Sequence, residues 1–177
     1  MTIERSDPPL RDDEAATVLG FLDYHRNTLR MKTEGLSQEQ LDATLAPGEM
    51  TLGGMLKHLA LVEDYWFSVV LMGNPDAEPW LGVDWDADRD WEWHSAKNDA
   101  PDQLRGLLDK AIAASDRLVA EALGDGGLDT LSAKGSRQDN DQKFSLRWIL
   151  LHMIEEYARH NGHADLIRES IDGQTGE

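Results

Sequence analysis

Apolar positions recur with a helical period in four long stretches of this chain, and nowhere do they alternate convincingly with a strand period. The first stretch, about Asp12 to Lys32, carries Val18, Leu22 and Leu29 on one face. The second, about Thr51 to Met72, stops at Gly73 with Pro75 just beyond, the usual punctuation of a helix end. The third, about Pro101 to Leu123, opens on a proline suited to a first helical position. The fourth, Ser145 to near Gly173, lacks proline and is dominated by Leu, Ile, Met, Ala, Glu and Arg. Between the first two, Gly35-Leu36-Ser37 breaks the pattern, Ser37-Gln38-Glu39-Gln40 reads as a capping box opening a short helix, and Pro47-Gly48 breaks it again.

Two long connections remain. Asn74 to Ala100 sets Trp80, Trp85, Trp91 and Trp93 among many aspartates, which favours a packed segment over a disordered one. Gly124 to Phe144 is glycine-rich and polar. The pattern predicts an all-α protein: an antiparallel four-helix bundle with a long Trp-rich crossover loop, forming a single domain over residues 1–177.

Composition narrows the chemistry. There is no cysteine, so no disulfide, cysteine nucleophile or thiolate ligand is on offer; a metal would be held by His, Asp, Glu or water. Any thiol chemistry needs a thiol from outside. A formal charge of −17, from 34 acids against 17 Lys and Arg, repels phosphate backbones and anionic membranes, so no nucleic-acid or membrane partner is expected. No apolar run reaches the length of a transmembrane helix. The start, Met1 to Pro9, is polar and unlike a signal peptide, and a cytoplasmic location is expected.

The candidate chemistry gathers on the fourth helix. Residues four apart on a helix lie one above the other, so His152, Glu156 and His160 form one row, with His163 beside its end. Imidazoles and a carboxylate held on a helix suit a metal; the competing arrangement is a polar network with Glu156 shared between His152 and His160. His58 lies among Leu56, Leu59, Val62 and Tyr65, where a sheltered imidazole needs a hydrogen bond or a metal. Asp84-Trp85-Asp86-Ala87-Asp88 superficially matches the start of a calcium loop, but Arg89 stands where glycine is required and Ser95 where glutamate is, which excludes an EF-hand. The tryptophans either cover a core or wall a substrate pocket. Arg159 and Arg168 with Asp165 and Glu169 are expected to pair around the end of the fourth helix, Arg159 being also a candidate for an anionic group on a cofactor. His25 and His94 are expected to be structural or exposed. Neither a glycine-rich phosphate loop nor a Gly-x-Ser-x-Gly motif occurs.

Three segments carry a resemblance: Gly48 to Ala60, Leu146 to Glu169, and Asp172-Gly173. Together they resemble the DinB/YfiT-like superfamily, in its actinobacterial branch related to the N-terminal domain of mycothiol-dependent maleylpyruvate isomerase. The resemblance implies a four-helix bundle holding a divalent metal by one histidine from the second helix and two ligands four apart on the last. Many members use three histidines; the isomerase branch has glutamate in the middle. Carried onto this chain, the ligands are His58, Glu156 and His160, and His163 stands where many relatives have glutamine. Two imidazoles and a carboxylate suit zinc, or nickel, iron or manganese, and three protein ligands leave coordination positions open.

The implied function is a thiol S-transferase or isomerase that activates a small thiol, mycothiol by analogy, with His152 or His163 managing protons and Arg159 toward the cofactor. The isomerase relative carries a further C-terminal domain, so its particular reaction is not implied. The alternatives are a hydrolase using bound hydroxide and a non-enzymatic, stress-related metal-binding bundle. Relatives often pair through bundle faces, and a homodimer is expected.

Overall fold

The computed structural model describes residue 3 and residues 5–175; Met1, Thr2 and Glu4 of the polar start lie outside the described residues, as do Gly176 and Glu177. Helix α1 (Glu14–Thr33) begins where Asp13 caps it, one carboxylate oxygen accepting the Ala16 N–H at 2.8 Å. The short α2 (Gln38–Leu41) is opened by the Ser37/Gln40 capping box. Helix α3 (Leu52–Glu63), capped by Thr51, runs straight into a π-helical segment (Asp64–Leu71) and stops at Gly73, whose φ of +77° few other residues tolerate. Helix α4 (Trp91–Ser95) lies in the Trp-rich connection, and α5 (Pro101–Gly126) follows. A two-stranded antiparallel hairpin, β1 (Leu131–Gly135) with β2 (Lys143–Ser145), leads into α6 (Leu146–Asp172).

The all-α class holds, at 63% helix against 6% strand. Three details depart from the expectation drawn from the sequence. The second long helix is α-helical only to Glu63 and then widens to π-helical turns, as helices often do beside functional sites. Helix α5 continues through Gly124 to Gly126, so the glycine-rich connection begins later; Thr130 fastens this end by donating its hydroxyl to the Ala122 carbonyl at 2.7 Å. The hairpin escaped a periodicity search because its paired strands are five and three residues long and it is held by local bonds, such as Phe144 N–H to Ser132 Oγ at 3.0 Å.

Helix α1 packs on α6, α3 on α5, and α3 also touches α6. Leu22, Leu29, Leu52, Met55, Leu59, Phe67, Leu104, Leu108, Ile149 and Met153 are buried between them. On α1 the buried stripe reads Leu22, Arg26, Leu29, Thr33, so a guanidinium occupies a core position. Its partner is Glu63 at the end of α3: Arg26 Nε and Nη2 donate to the two carboxylate oxygens at 2.8 Å each. From α6, the Tyr157 hydroxyl donates to Glu63 Oε1 at 2.8 Å, and Asp116 on α5 accepts from Arg26 Nη1 at 2.9 Å. All four long helices therefore meet at one guanidinium–carboxylate pair.

Burial opposes the charge on Arg26, but the facing carboxylates outweigh it and hold the guanidinium protonated more firmly than in water. The Tyr157 hydroxyl is raised well above its ordinary range, first by burial and then by the Glu63 charge, and stays a donor. The expected pairing around the C-terminal end is corrected. Arg168 binds Asp172 one turn on and the Lys32 carbonyl of α1, Arg159 takes Glu155 one turn back, and Asp165 faces Lys32 at 2.9 Å because α1 lies opposite it.

Removing one partner of a buried ion pair strands the other. Glu63→Ala should therefore lower the unfolding free energy by about 3–5 kcal/mol, read by urea denaturation. Asp116→Ala, at a carboxylate that is 57% exposed, should cost no more than about 1 kcal/mol.

Candidate metal centre

The buried stripe of α6 runs Leu146, Ile149, Leu150, Met153, Tyr157, Asn161, Ala164 and Arg168. His152, Glu156, His160 and His163 follow its shoulder, half-sheltered except for His160, which is only 7% exposed. The predicted row exists: Glu156 lies 3.6 Å from His152 Nε2 and 3.7 Å from His160 Nε2, through different carboxylate oxygens. His58 arrives from α3, its ring centroid 4.9 Å from that of His160. One donor atom from each of His58, Glu156 and His160 lies within 4.8 Å of the other two, the one such group among the described residues.

Gly54 makes this approach possible. It precedes His58 by one helical turn, and a Cβ there would come within 2.5 Å of the Trp93 ring, which stacks on His58 at 4.8 Å. Helix α4 supplies that ring and also Glu92, whose Oε1 lies 2.9 Å from His58 Nδ1. Lys57, next to His58, fixes the same connection by pairing with Asp99 and lying 4.6 Å over the Trp91 ring. With Nδ1 engaged by a carboxylate, the nitrogen His58 keeps for a ligand is Nε2.

The donor set fits a divalent ion. It pairs two imidazoles with a carboxylate, and His160 is kept neutral: burial first, then His58, His163 and Arg159, push it from 6.5 down to about 4. His160 Nδ1 and His163 Nδ1 are buried without a hydrogen-bond partner, while His160 Nε2 is the nitrogen that faces Glu156.

The sequence matches the family model of the mycothiol S-transferases over residues 17–173. The chain belongs to the mycothiol S-transferase family. This is a DinB/YfiT-like family, as the resemblance implied. No curated protein matches the chain. Among solved structures, the crystal structure of a conserved protein from Enterococcus faecalis is similar in fold, at 17% identity and a TM-score of 0.58, covering 93% of this chain and all of that one.

Other residues of this mycothiol S-transferase family member sort by position. His152 stacks on Trp148 at 5.0 Å and meets Trp66 edge-on at 4.8 Å, one turn from Glu156. His163 lies beside His160, ring centroids 6.2 Å apart. Arg159 is exposed and paired with Glu155 at 2.8 Å, and it does not line the cavity described next. His25 receives Asn161 through its carbonyl, and His94 is exposed beside Asp88.

A cavity of about 620 Å³ is walled by Leu61, Val62 and Tyr65 on the turns after His58, by Trp80 and Trp85, and by Glu92, through which it reaches His58; none of His58, Glu156 and His160 lines it. Arg89 and Arg137 also line it, together with Asp64, Asp76 and Asp86. Glu92 was passed over in the sequence. The available signal was an acid set between Trp91 and Trp93 in a connection whose other acids are mostly solvated. No helix among the described residues is long and apolar enough to cross a membrane.

The low value of His160 has a consequence for the metal-free protein. The unfolded chain takes up this proton near pH 6.5, the folded chain only near pH 4, so stability falls as pH drops through that window. The full loss is about 3 kcal/mol. Denaturant titrations between pH 7 and 4.5 should show a shallower acid loss for His160→Gln than for the parent.

Proposed function

We propose that this protein is a divalent-metal-dependent thiol S-transferase, with His58, Glu156 and His160 as the metal ligands and mycothiol as the co-substrate. The observation that carries the reading is the convergence of these three side chains from two helices in a chain of the mycothiol S-transferase family. The four long helices are read as an antiparallel bundle within one domain, built to hold that convergence. Zinc suits the donor set best.

A divalent ion bound there supplies positive charge that favours the thiolate form of an incoming thiol. The remaining work falls to side chains of this chain. The wall of Leu61, Val62, Tyr65, Trp80 and Trp85 receives the organic bodies of thiol and electrophile and excludes water from them. In the transfer, the sulfur–carbon bond forms as the bond to the leaving group breaks, and the leaving group departs with that electron pair. The thiol proton passes to an imidazole: His152, whose Nε2 already faces Glu156 Oε1, or His163, whose Nδ1 has no other partner. Arg159, exposed and paired with Glu155, remains the candidate for an anionic group of the co-substrate, and the guanidinium groups on the cavity wall are Arg89 and Arg137.

A cytoplasmic homodimer completes the reading. Exposed Trp148 and Leu151 on the outer face of α6 offer apolar area for a second copy. Light scattering should give twice 19.8 kDa, and a mass of 19.8 kDa over a wide concentration range would overturn the dimer.

The direct test measures transfer from mycothiol to a chromogenic electrophile by zinc-loaded protein. His58→Ala, Glu156→Ala and His160→Ala should each lower kcat/KM at least about a hundredfold. Cleavage of an ester or amide that proceeds equally well without thiol would instead identify a hydrolase.

A further inference from the structure

A second carboxylate, Glu92, stands behind the proposed ligands, touching His58 on the side away from them. Glu92 is 4% exposed in a chain whose acids are mostly in water. One oxygen reaches His58 Nδ1 at 2.9 Å; the other, Oε2, is buried with no hydrogen-bond partner. A carboxylate so placed is costly, because each unsatisfied buried oxygen forfeits its hydration and an ion unpaired in the interior forfeits far more. The cost is offset when a compensating positive charge lies close by. Among the surrounding side chains, Lys57 is spent on Asp99 and Trp91, and Arg89 is exposed. The nearest group able to transmit positive charge to Glu92 is the His58 ring itself.

We propose that Glu92 is a positioning residue of the metal centre: it locks His58 in the Nδ1–H tautomer, aims Nε2 toward Glu156 and His160, and supplies the second negative charge that balances a divalent ion. The inference rests on the reading of His58, Glu156 and His160 as ligands. A neutral imidazole carries one N–H, and a carboxylate accepting it leaves the opposite nitrogen with its lone pair free. Glu156 and Glu92 together carry two negative charges, which neutralise a dication, one by direct contact and one through the His58 ring. The orphaned oxygen then belongs to a neutral assembly instead of an isolated buried anion.

The tryptophan beside Glu92 serves the same end. Trp93 stacks on His58 with an interplanar angle of 29° and also lies 5.6 Å from the His160 ring, so ring rotation at His58 meets the indole on one side and Glu92 at its edge. The Trp-rich crossover is thus a clamp: Lys57 pins α4 to α3 at Asp99 and Trp91, and α4 in turn fixes the orientation of the next residue on α3.

The test compares parent, Glu92→Gln and Glu92→Ala as full-length metal-free proteins, each titrated with zinc against a competing chelator. Loss of such an outer-shell partner typically weakens metal affinity 10- to 100-fold, and that range is expected for both variants. Glu92→Gln keeps the shape and an acceptor oxygen, so it isolates the charge and remains informative if Glu92→Ala folds poorly. Nitrogen-15 spectra of the imidazoles supply a second readout: His58 should be the Nδ1–H tautomer in the parent and a tautomer mixture in Glu92→Ala. Zinc affinity within twofold of the parent for both variants, or an unchanged tautomer, would overturn the inference. If His58→Ala abolishes zinc binding while Glu92→Gln leaves it intact, Glu92 alone loses its role. If His58→Ala, Glu156→Ala and His160→Ala all bind zinc like the parent, the ligand assignment and the role of Glu92 fall together.

Discussion

The Arg26–Glu63 pair sets the register on which the rest of the molecule depends. It is buried, bidentate and met by a side chain from each of the other two long helices, Asp116 from α5 and Tyr157 from α6. Apolar contacts alone tolerate small slides of one helix over another, since many pairings of leucine with leucine are nearly equal in energy. A guanidinium facing a carboxylate does not, because displacement leaves a buried charge unpaired. Such pairs add little net stability over apolar residues, and their effect here is positional: α3 and α6 cannot shift against each other without breaking the Tyr157–Glu63 bond.

That register is what brings the donors together. Glu63 is five residues beyond His58 on one helix, and Tyr157 directly follows Glu156 on the other. One hydrogen bond between Glu63 and Tyr157 therefore fixes how far His58 lies from Glu156 and His160. The crossover then closes the remaining side. Lys57 holds α4, Trp93 fills the space that Gly54 leaves, and Glu92 meets His58 edge-on. Each local choice in the sequence supports the same arrangement, which is the consistency expected of a site rather than of an incidental cluster.

The parts legible in the sequence were those encoded by short-range spacing. Four long helices, the Ser37 capping box, the stop at Gly73 and the row of His152, Glu156 and His160 all follow from helical geometry within one segment. His58 was legible as a sheltered imidazole, and the family resemblance grouped it with Glu156 and His160, although its hydrogen-bond partner Glu92 required the fold. Arg26, Glu63 and Tyr157 left no comparable trace, because their meaning lies in contacts 37 and 94 residues apart along the chain. An arginine at a core position of α1 reads in the sequence as a tolerated surface charge. Glu92 was hidden for the same reason, being one acid among many. The π-helical turns and the short hairpin were hidden because tertiary contacts, not propensity, select them. Asp165 was misassigned because its partner, Lys32, comes from α1, while Arg159 and Arg168 pair four residues along α6 with Glu155 and Asp172 rather than with the acids first considered.

The central claim is that three side chains hold a divalent ion with room left for an external thiol. X-ray absorption at the zinc edge tests it most directly, because a chain without cysteine contributes no thiolate of its own. The account predicts a shell of two imidazole nitrogens and a carboxylate oxygen at about 2.0–2.2 Å, with a sulfur neighbour appearing at about 2.3 Å only when mycothiol is added. A shell without imidazole scattering, or one that never admits sulfur at saturating thiol, would contradict it.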